Sequence, residues 1–205
     1  MKKLLFLIII LPFNIFALTY PDLNSKKVLI YDKTDDLILY EKNADEKSYI
    51  ASITKIATSM AAIEEIKDLD EEITITKEMM NTVSSVASVA GLKVGDKVTY
   101  RDLLYASLVP SGADATNSLA LRLFGSFDNY VKKMNELAKK IGLTNTHFAN
   151  VTGLDNDDNY SNAKDVLKLL LYALSNKTFK DIYTTKEYSD AHYTVKIRVE
   201  ATESQ

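Results

Sequence analysis

Ser52-Ile53-Thr54-Lys55-Ile56-Ala57-Thr58-Ser59-Met60-Ala61-Ala62-Ile63-Glu64-Glu65-Ile66 is the stretch from which the rest of the chain can be read. Ile56, Met60, Ile63 and Ile66 recur at helical spacing, so the segment predicts a helix with Ser52 at its N-cap or in its first turn. A serine hydroxyl is a weak nucleophile near neutral pH and needs a base within hydrogen-bond reach; a lysine three positions on along a helix places its amine there. The amine must be partly buried to serve, because desolvation lowers an ammonium pKa. A serine at a helix start also lies in a positive field, close to backbone N–H groups able to stabilise an oxyanion. Serine and lysine at this spacing recur by chance, so Ser52 and Lys55 are candidates that need their context.

Residues 1–17 read as a secretory signal: Lys2 and Lys3, an apolar run from Leu4 to Leu11, then Pro12 to Ala17 with a cleavage point after Ala17. The run is too short for the roughly twenty residues of a spanning helix. Retention of the leader as a membrane anchor is the alternative, because Ile15 is larger than the usual small residue three before the cut. The chain is therefore expected to be exported to the periplasm or cell envelope. Loss of Lys2 and Lys3 takes the formal charge from -3 to -5, which argues against nucleic acid as a partner. With no cysteine among 205 residues, stability must come from burial, and the length suits one globular domain over residues 18–205. His147 and His192 are the only histidines and no ligand spacing stands out, so no metal is expected and His147 reads as a structural hydrogen-bonder. Asn150-Val151-Thr152 and Asn176-Lys177-Thr178 match glycosylation acceptors, a short pattern that is frequent by chance.

Around the opening stretch, Lys27–Asp32 and Leu37–Glu41 predict a β-hairpin. Tyr100–Leu108 predicts a helix stopped by Pro110, and Asp114–Phe124 a second one ended by Gly125. Phe127–Ile141 with Gly142 as its stop and Asn162–Leu174 predict two more, the last after a Gly/Asp/Asn-rich loop at 153–159. His192–Val199 alternates as a strand does.

A second motif, Pro110-Ser111-Gly112-Ala113-Asp114-Ala115, falls at a helix–helix turn, where the Ser111 hydroxyl could face Ser52 across a cleft. Together with Gly91-Leu92-Lys93-Val94-Gly95-Asp96, Leu103-Leu104-Tyr105, Asn145-Thr146-His147-Phe148, Thr152-Gly153-Leu154-Asp155 and Tyr160-Ser161, these landmarks stand in the order of a known family. The chain resembles the penicillin-recognising serine D,D-peptidases, specifically the low-molecular-mass D-alanyl-D-alanine carboxypeptidases. The resemblance implies an α+β fold of the DD-peptidase/β-lactamase-like type, a helical cluster packed on an antiparallel sheet. It implies Ser52 as nucleophile toward the terminal D-Ala-D-Ala bond of a peptidoglycan stem peptide, Lys55 as general base and Ser111 as proton relay. β-Lactams are then inhibitors that mimic the peptide, and no cofactor is implied.

Two departures qualify that expectation. Ala113 stands where the family has asparagine, which removes a hydrogen-bonding arm for lysine and substrate; such a bond is worth about 1.5–3 kcal/mol, or one to two decades in rate. Lys-Thr-Gly, the family's third motif on a strand lining the cleft, is absent. The reading is therefore of an incomplete catalytic domain whose remaining sheet strands lie beyond Gln205. The alternative to an active hydrolase is an inactive remnant that at most binds peptidoglycan or a complementary C-terminal fragment. A β-lactamase is disfavoured, because the loop 153–164 carries no glutamate suited to deacylation.

Overall fold

The computed structural model describes residues 23–196, so the leader read at 1–17 and the end of the strand expected over 192–199 lie outside the described residues. β1 (Val28–Asp32) and β2 (Leu37–Lys42) form the expected hairpin, and β3 (Ser48–Tyr49) leads through a 3₁₀ turn, Ala51–Ile53, into α1 (Thr54–Glu65). Next come β4 (Glu72–Thr74), α2 (Lys77–Asn81), β5 (Lys97–Thr99) and α3 (Tyr100–Leu108). α4 (Ala113–Leu119) winds into π turns over Ala120–Phe124, and α5 (Phe127–Ile141) follows. β6 (Tyr160–Ser161), α6 (Ala163–Ser175), α7 (Lys177–Tyr183), β7 (Glu187–Ser189) and β8 (Thr194–Lys196) complete the order.

The strands pair antiparallel as β1–β2, β3–β6, β4–β5 and β7–β8. The class is α+β, but the broad sheet that the resemblance implies is not found among the described residues, where every ladder has two strands. Two-stranded ribbons are marginal alone, and here they lean on helices. β1 packs on α6, and the β7–β8 ribbon stacks Tyr188 on Tyr105 of α3. The Tyr188 hydroxyl also bonds Asp102 of the same helix at 2.8 Å.

α1 is the axis of the fold. Nine consecutive residues, Thr54 to Ala62, are buried, and the helix touches α3, α4, α5, α6 and α7. Leu103 and Leu104 of α3, Tyr130 and Met134 of α5, Leu169 of α6 and Phe179 and Ile182 of α7 are fully buried in this core. Each large apolar side chain so removed from water contributes about 1.5–3 kcal/mol. Ala57, Ala61 and Ala62 leave room for close helix approach, and the polar residues on the buried flanks find partners inside: Thr58 Oγ1 donates to the Val151 carbonyl at 2.8 Å, and Ser59 meets Ser107 at 3.4 Å. Helix ends follow the sequence signals. Gly125 and Gly142 take left-handed conformations at φ 70° and 80°, and Asn162 caps α6 by accepting from the Asp165 N–H.

The segment 82–92 is lashed to α4, its last three residues by one carboxylate. Asp114 accepts the backbone N–H of Ala90 at 2.8 Å, Gly91 at 2.9 Å and Leu92 at 3.0 Å, while Ala113 N–H donates to the Ser88 carbonyl and Asn117 to that of Thr82. Asp114→Ala strips a buried acceptor from these amides and is expected to cost about 3–5 kcal/mol in a urea unfolding experiment. A loss under about 1 kcal/mol would mean that the segment is held by its other contacts.

Candidate active site

The turn that carries Ser52 is strained. Ala51 sits at φ 44°, left-handed backbone that a residue with a Cβ rarely adopts, and the 3₁₀ turn then feeds α1. Ser52 is exposed, and its side chain opens on a cleft of about 560 Å³ walled on one side by Val86, Ala87 and Ser88 and on the other by Thr152, Leu154 and Asp155. Lys55 lies in the first turn of α1 and is only 4% exposed. Its Nζ is 3.2 Å from Ser52 Oγ and donates to the Thr152 carbonyl at 2.7 Å. Burial pulls the Lys55 ammonium from 10.5 down to about 8, against an opposing pull from the Asp114 carboxylate. An amine so placed can exchange a proton with the serine hydroxyl near neutral pH.

The wall opposite α1 is the irregular stretch 149–154. Gly153, at φ 85°, presses against the Ser52 turn so closely that a Cβ there would lie 2.0 Å from the Ala51 carbonyl oxygen. Asn159 ties the stretch to α1, accepting from Ala149 N–H and donating to Thr54 Oγ1 at 3.0 Å. Asn150, which matches a glycosylation acceptor in sequence, has its amide engaged internally by Thr152, Gly153 and Leu154. The sequence gives neither the Thr152 carbonyl nor Asn150 a place in the site; it marks Asn150 only as a glycosylation acceptor. A buried lysine needs an acceptor, but backbone acceptors carry no sequence signal; the glycine of Thr152-Gly153-Leu154-Asp155 was the one hint of close approach.

Ser111 follows Pro110 at φ 61°, again left-handed. Its Oγ is the one buried side-chain oxygen or nitrogen among the described residues without a hydrogen-bond partner. It bonds neither Ser52 nor Lys55, and Ser88 rather than Ser111 lines the cleft beside them. Ala113 is buried and borders a cavity of about 210 Å³ shared with Asn117, Asn150 and Thr152. His147 is a hydrogen-bonder, its Nδ1 2.6 Å from the Asp158 carbonyl, and the described residues hold no cluster of three metal-ligating side chains. No described helix is long and apolar enough to cross a membrane.

The lowered Lys55 pKa makes stability depend on pH. Below about pH 8 the amine is charged in folded and unfolded chains alike, and the folded state carries the full desolvation cost. Between about 8 and 10.5 the folded amine is neutral while the unfolded one keeps its proton, so the stability due to this group rises with pH across that window. Lys55→Met is accordingly expected to stabilise the fold by about 1–3 kcal/mol at pH 7, with the gain vanishing near pH 10.5. Thermal unfolding of both proteins across that range checks it; a gain independent of pH would sink the argument.

Comparison with known proteins places this geometry. The sequence profile described as D-alanyl-D-alanine carboxypeptidase matches residues 14–204. A D-alanyl-D-alanine carboxypeptidase of Streptomyces sp. (strain K15) is 38% identical over 160 residues, covering 74% of this chain and 55% of that protein. The D-alanyl-D-alanine carboxypeptidase DacF of Bacillus subtilis is 34% identical over 146 residues, covering 69% of this chain and 37% of its own length. This chain thus spans about half or less of those two relatives. The crystal structure of the Streptomyces K15 DD-transpeptidase superposes with a TM-score of 0.79 at 35% identity, covering 87% of this chain and 70% of that one. The D-alanyl-D-alanine carboxypeptidase of Mycobacterium tuberculosis gives 0.79 at 26% identity, covering 91% and 71%. A profile match that takes in all of the described residues, Ser52 and Lys55 included, settles the lineage: the chain belongs to the D-alanyl-D-alanine carboxypeptidase family.

Proposed function

We propose that the protein is a serine-type D-alanyl-D-alanine carboxypeptidase that trims stem peptides of peptidoglycan in the cell envelope. The observation that carries this reading is the Ser52 hydroxyl 3.2 Å from a buried amine whose pKa stands at about 8. About one-tenth of such an amine is neutral at pH 7. Neutral Lys55 takes the hydroxyl proton as Ser52 Oγ bonds to the carbonyl carbon of the terminal D-Ala-D-Ala amide, with the Ser52 N–H as one oxyanion donor. The C–N bond then breaks, the leaving amine receives the proton from Lys55 by way of Ser111, and D-alanine departs. Water cleaves the resulting ester, restores the serine and releases a peptide one residue shorter. No cofactor takes part. A Ser111 hydroxyl that is buried and unpartnered fits a relay that forms its bonds only with substrate present. β-Lactams, whose amide mimics the scissile bond, are expected to stop at the ester.

On the same reading the leader at residues 1–17 directs export and is removed, unless it remains as an anchor. The groove between the β1–β2 hairpin and α6, walled by Leu29, Tyr31, Val166, Leu170 and Leu174, is where a complementary fragment would pack.

Incubation of the folded protein with benzylpenicillin, followed by intact-mass spectrometry, is expected to show one added penicillin that is missing in Ser52→Ala. A folded protein that gains no mass would end the catalytic reading. Ala113→Asn has space to enter beside Asn117 and Thr152. It is expected to speed adduct formation by about 10- to 100-fold, the value of a restored hydrogen bond to a charged partner. An unchanged rate would show that the site does without that arm.

A further inference from the structure

We propose that Asn150 is a positioning residue for Lys55, acting through the carbonyl of Thr152. The inference rests on the function proposed above, in which Lys55 is the base. The stretch 149–154 has no helix or strand to hold it, and one side-chain amide supplies its internal order. Asn150 Oδ1 accepts the N–H of Gly153 at 2.7 Å, the N–H of Thr152 at 3.2 Å and the Thr152 hydroxyl at 3.3 Å, while Nδ2 donates to the Leu154 carbonyl at 2.9 Å. Four bonds within five residues curl the backbone into a turn of the kind asparagine favours. The turn leaves the Thr152 carbonyl unbonded within the loop and aimed at Lys55 Nζ, 2.7 Å away.

The same loop also keeps water off the amine. Thr152, Gly153 and Val151 are buried, and Gly153 closes on the Ser52 turn. The remaining ties, Thr58 to the Val151 carbonyl and Asn159 to Ala149 and Thr54, hold the N-terminal half of the stretch. Beyond Val151, Asn150 is the one side chain among the described residues that accepts from the loop's amides. Without it, the N–H groups of Thr152 and Gly153 and the carbonyl of Leu154 must find water, and the loop opens toward the cleft. A wetter Lys55 holds its proton more tightly, so less of it is a base near neutral pH. The groups facing Lys55 are then the Ser52 hydroxyl, the Thr152 carbonyl and, at longer range, the Asp114 carboxylate; of these only Asp114 carries charge, and Asn150 does not touch it.

The test reads Lys55 directly. In protein carrying ¹³C-labelled lysine, the ε-methylene signal assigned by its loss in Lys55→Arg should titrate near pH 8. In Asn150→Ala the midpoint is expected to rise by about one pH unit or more, and penicillin acylation to fall about tenfold at pH 7 while recovering most of its rate by pH 10. Asn150→Ser, whose hydroxyl keeps one acceptor for the turn, should fall between the two and guards against a variant that does not fold. Asn162→Ala, which removes the cap of α6 and a bond to the Asp45 carbonyl, should lower stability and leave the Lys55 midpoint unmoved. A folded Asn150→Ala or Asn150→Ser with the wild-type midpoint overturns the proposal. If wild-type protein forms no adduct although Lys55 titrates near 8, the proposed activity fails, and the midpoints still decide the role of Asn150.

Discussion

A lysine amine sealed between a helix and a loop is the constraint around which this fold is arranged. Lys55 is 4% exposed in the first turn of a helix whose first nine residues are buried, and burial costs a charged group several kcal/mol unless it is paired or neutralised. No carboxylate among the described residues pairs with it. It has a carbonyl, a hydroxyl and a distant Asp114, and the outcome is an ammonium brought down to about 8. A close carboxylate would instead have raised the lysine pKa and removed the basicity that the proposed role of Lys55 needs. Dipoles meet the amine in place of a charge, and the loop at 149–154 supplies one of them through the Thr152 carbonyl.

That arrangement explains why α1 must be surrounded. Five other helices touch it, and its small residues let them come close enough to exclude water along Thr54–Ala62. The cleft is then what remains open at the N-terminal end of α1, between the Asp114-held segment and the Asn150-held loop. Both walls are irregular backbone, and in each one polar side chain, Asp114 or Asn150, accepts from several backbone N–H groups. Irregular walls on a rigid helical support are the usual way for a fold to vary what it binds.

Much of this was legible in the sequence. The Phe127–Ile141 helix and its Gly142 stop, the α3 boundaries and the β1–β2 hairpin follow from periodicity and turn chemistry. The Ser52/Lys55 contact is the one the three-residue spacing predicts, although Ser52 sits in the 3₁₀ turn before α1 and Ile53 rather than Ser52 is the N-cap. What periodicity misstates is α1 itself. The Ile56, Met60, Ile63 and Ile66 stripe suggests one apolar face, whereas Thr54, Thr58 and Ser59 are fully buried and Ile63 and Ile66 only half-buried, because the three hydroxyls find hydrogen-bond partners across the core. The short elements α2 and α7 and the β4–β5 pair are below the length at which a pattern can be recognised. The ties that build the site, from Thr152, Asn150 and Asp114, join residues about 20 to 100 apart or use backbone groups, and no local pattern announces them.

The motif Ser111-Gly112-Ala113-Asp114 shows how structure and chemistry divide within four residues. Gly112 is required by packing, since a Cβ would stand 2.7 Å from the Ala106 carbonyl oxygen, the Ala90 Cβ and an Asp114 oxygen. Asp114 is required by the backbone amides of residues 90–92. Ala113 fills buried space. Only the Ser111 hydroxyl does nothing for the fold: it is buried, unpaired and carried on left-handed backbone, two costs with no structural return. The same subtraction applied to residues 51–55 leaves Ser52 exposed on a strained turn and Lys55 destabilising the core in which it sits. Strain, an orphaned hydroxyl and a buried amine within two short motifs all lower stability, and the proposed catalytic roles of these residues give those costs a physical reason.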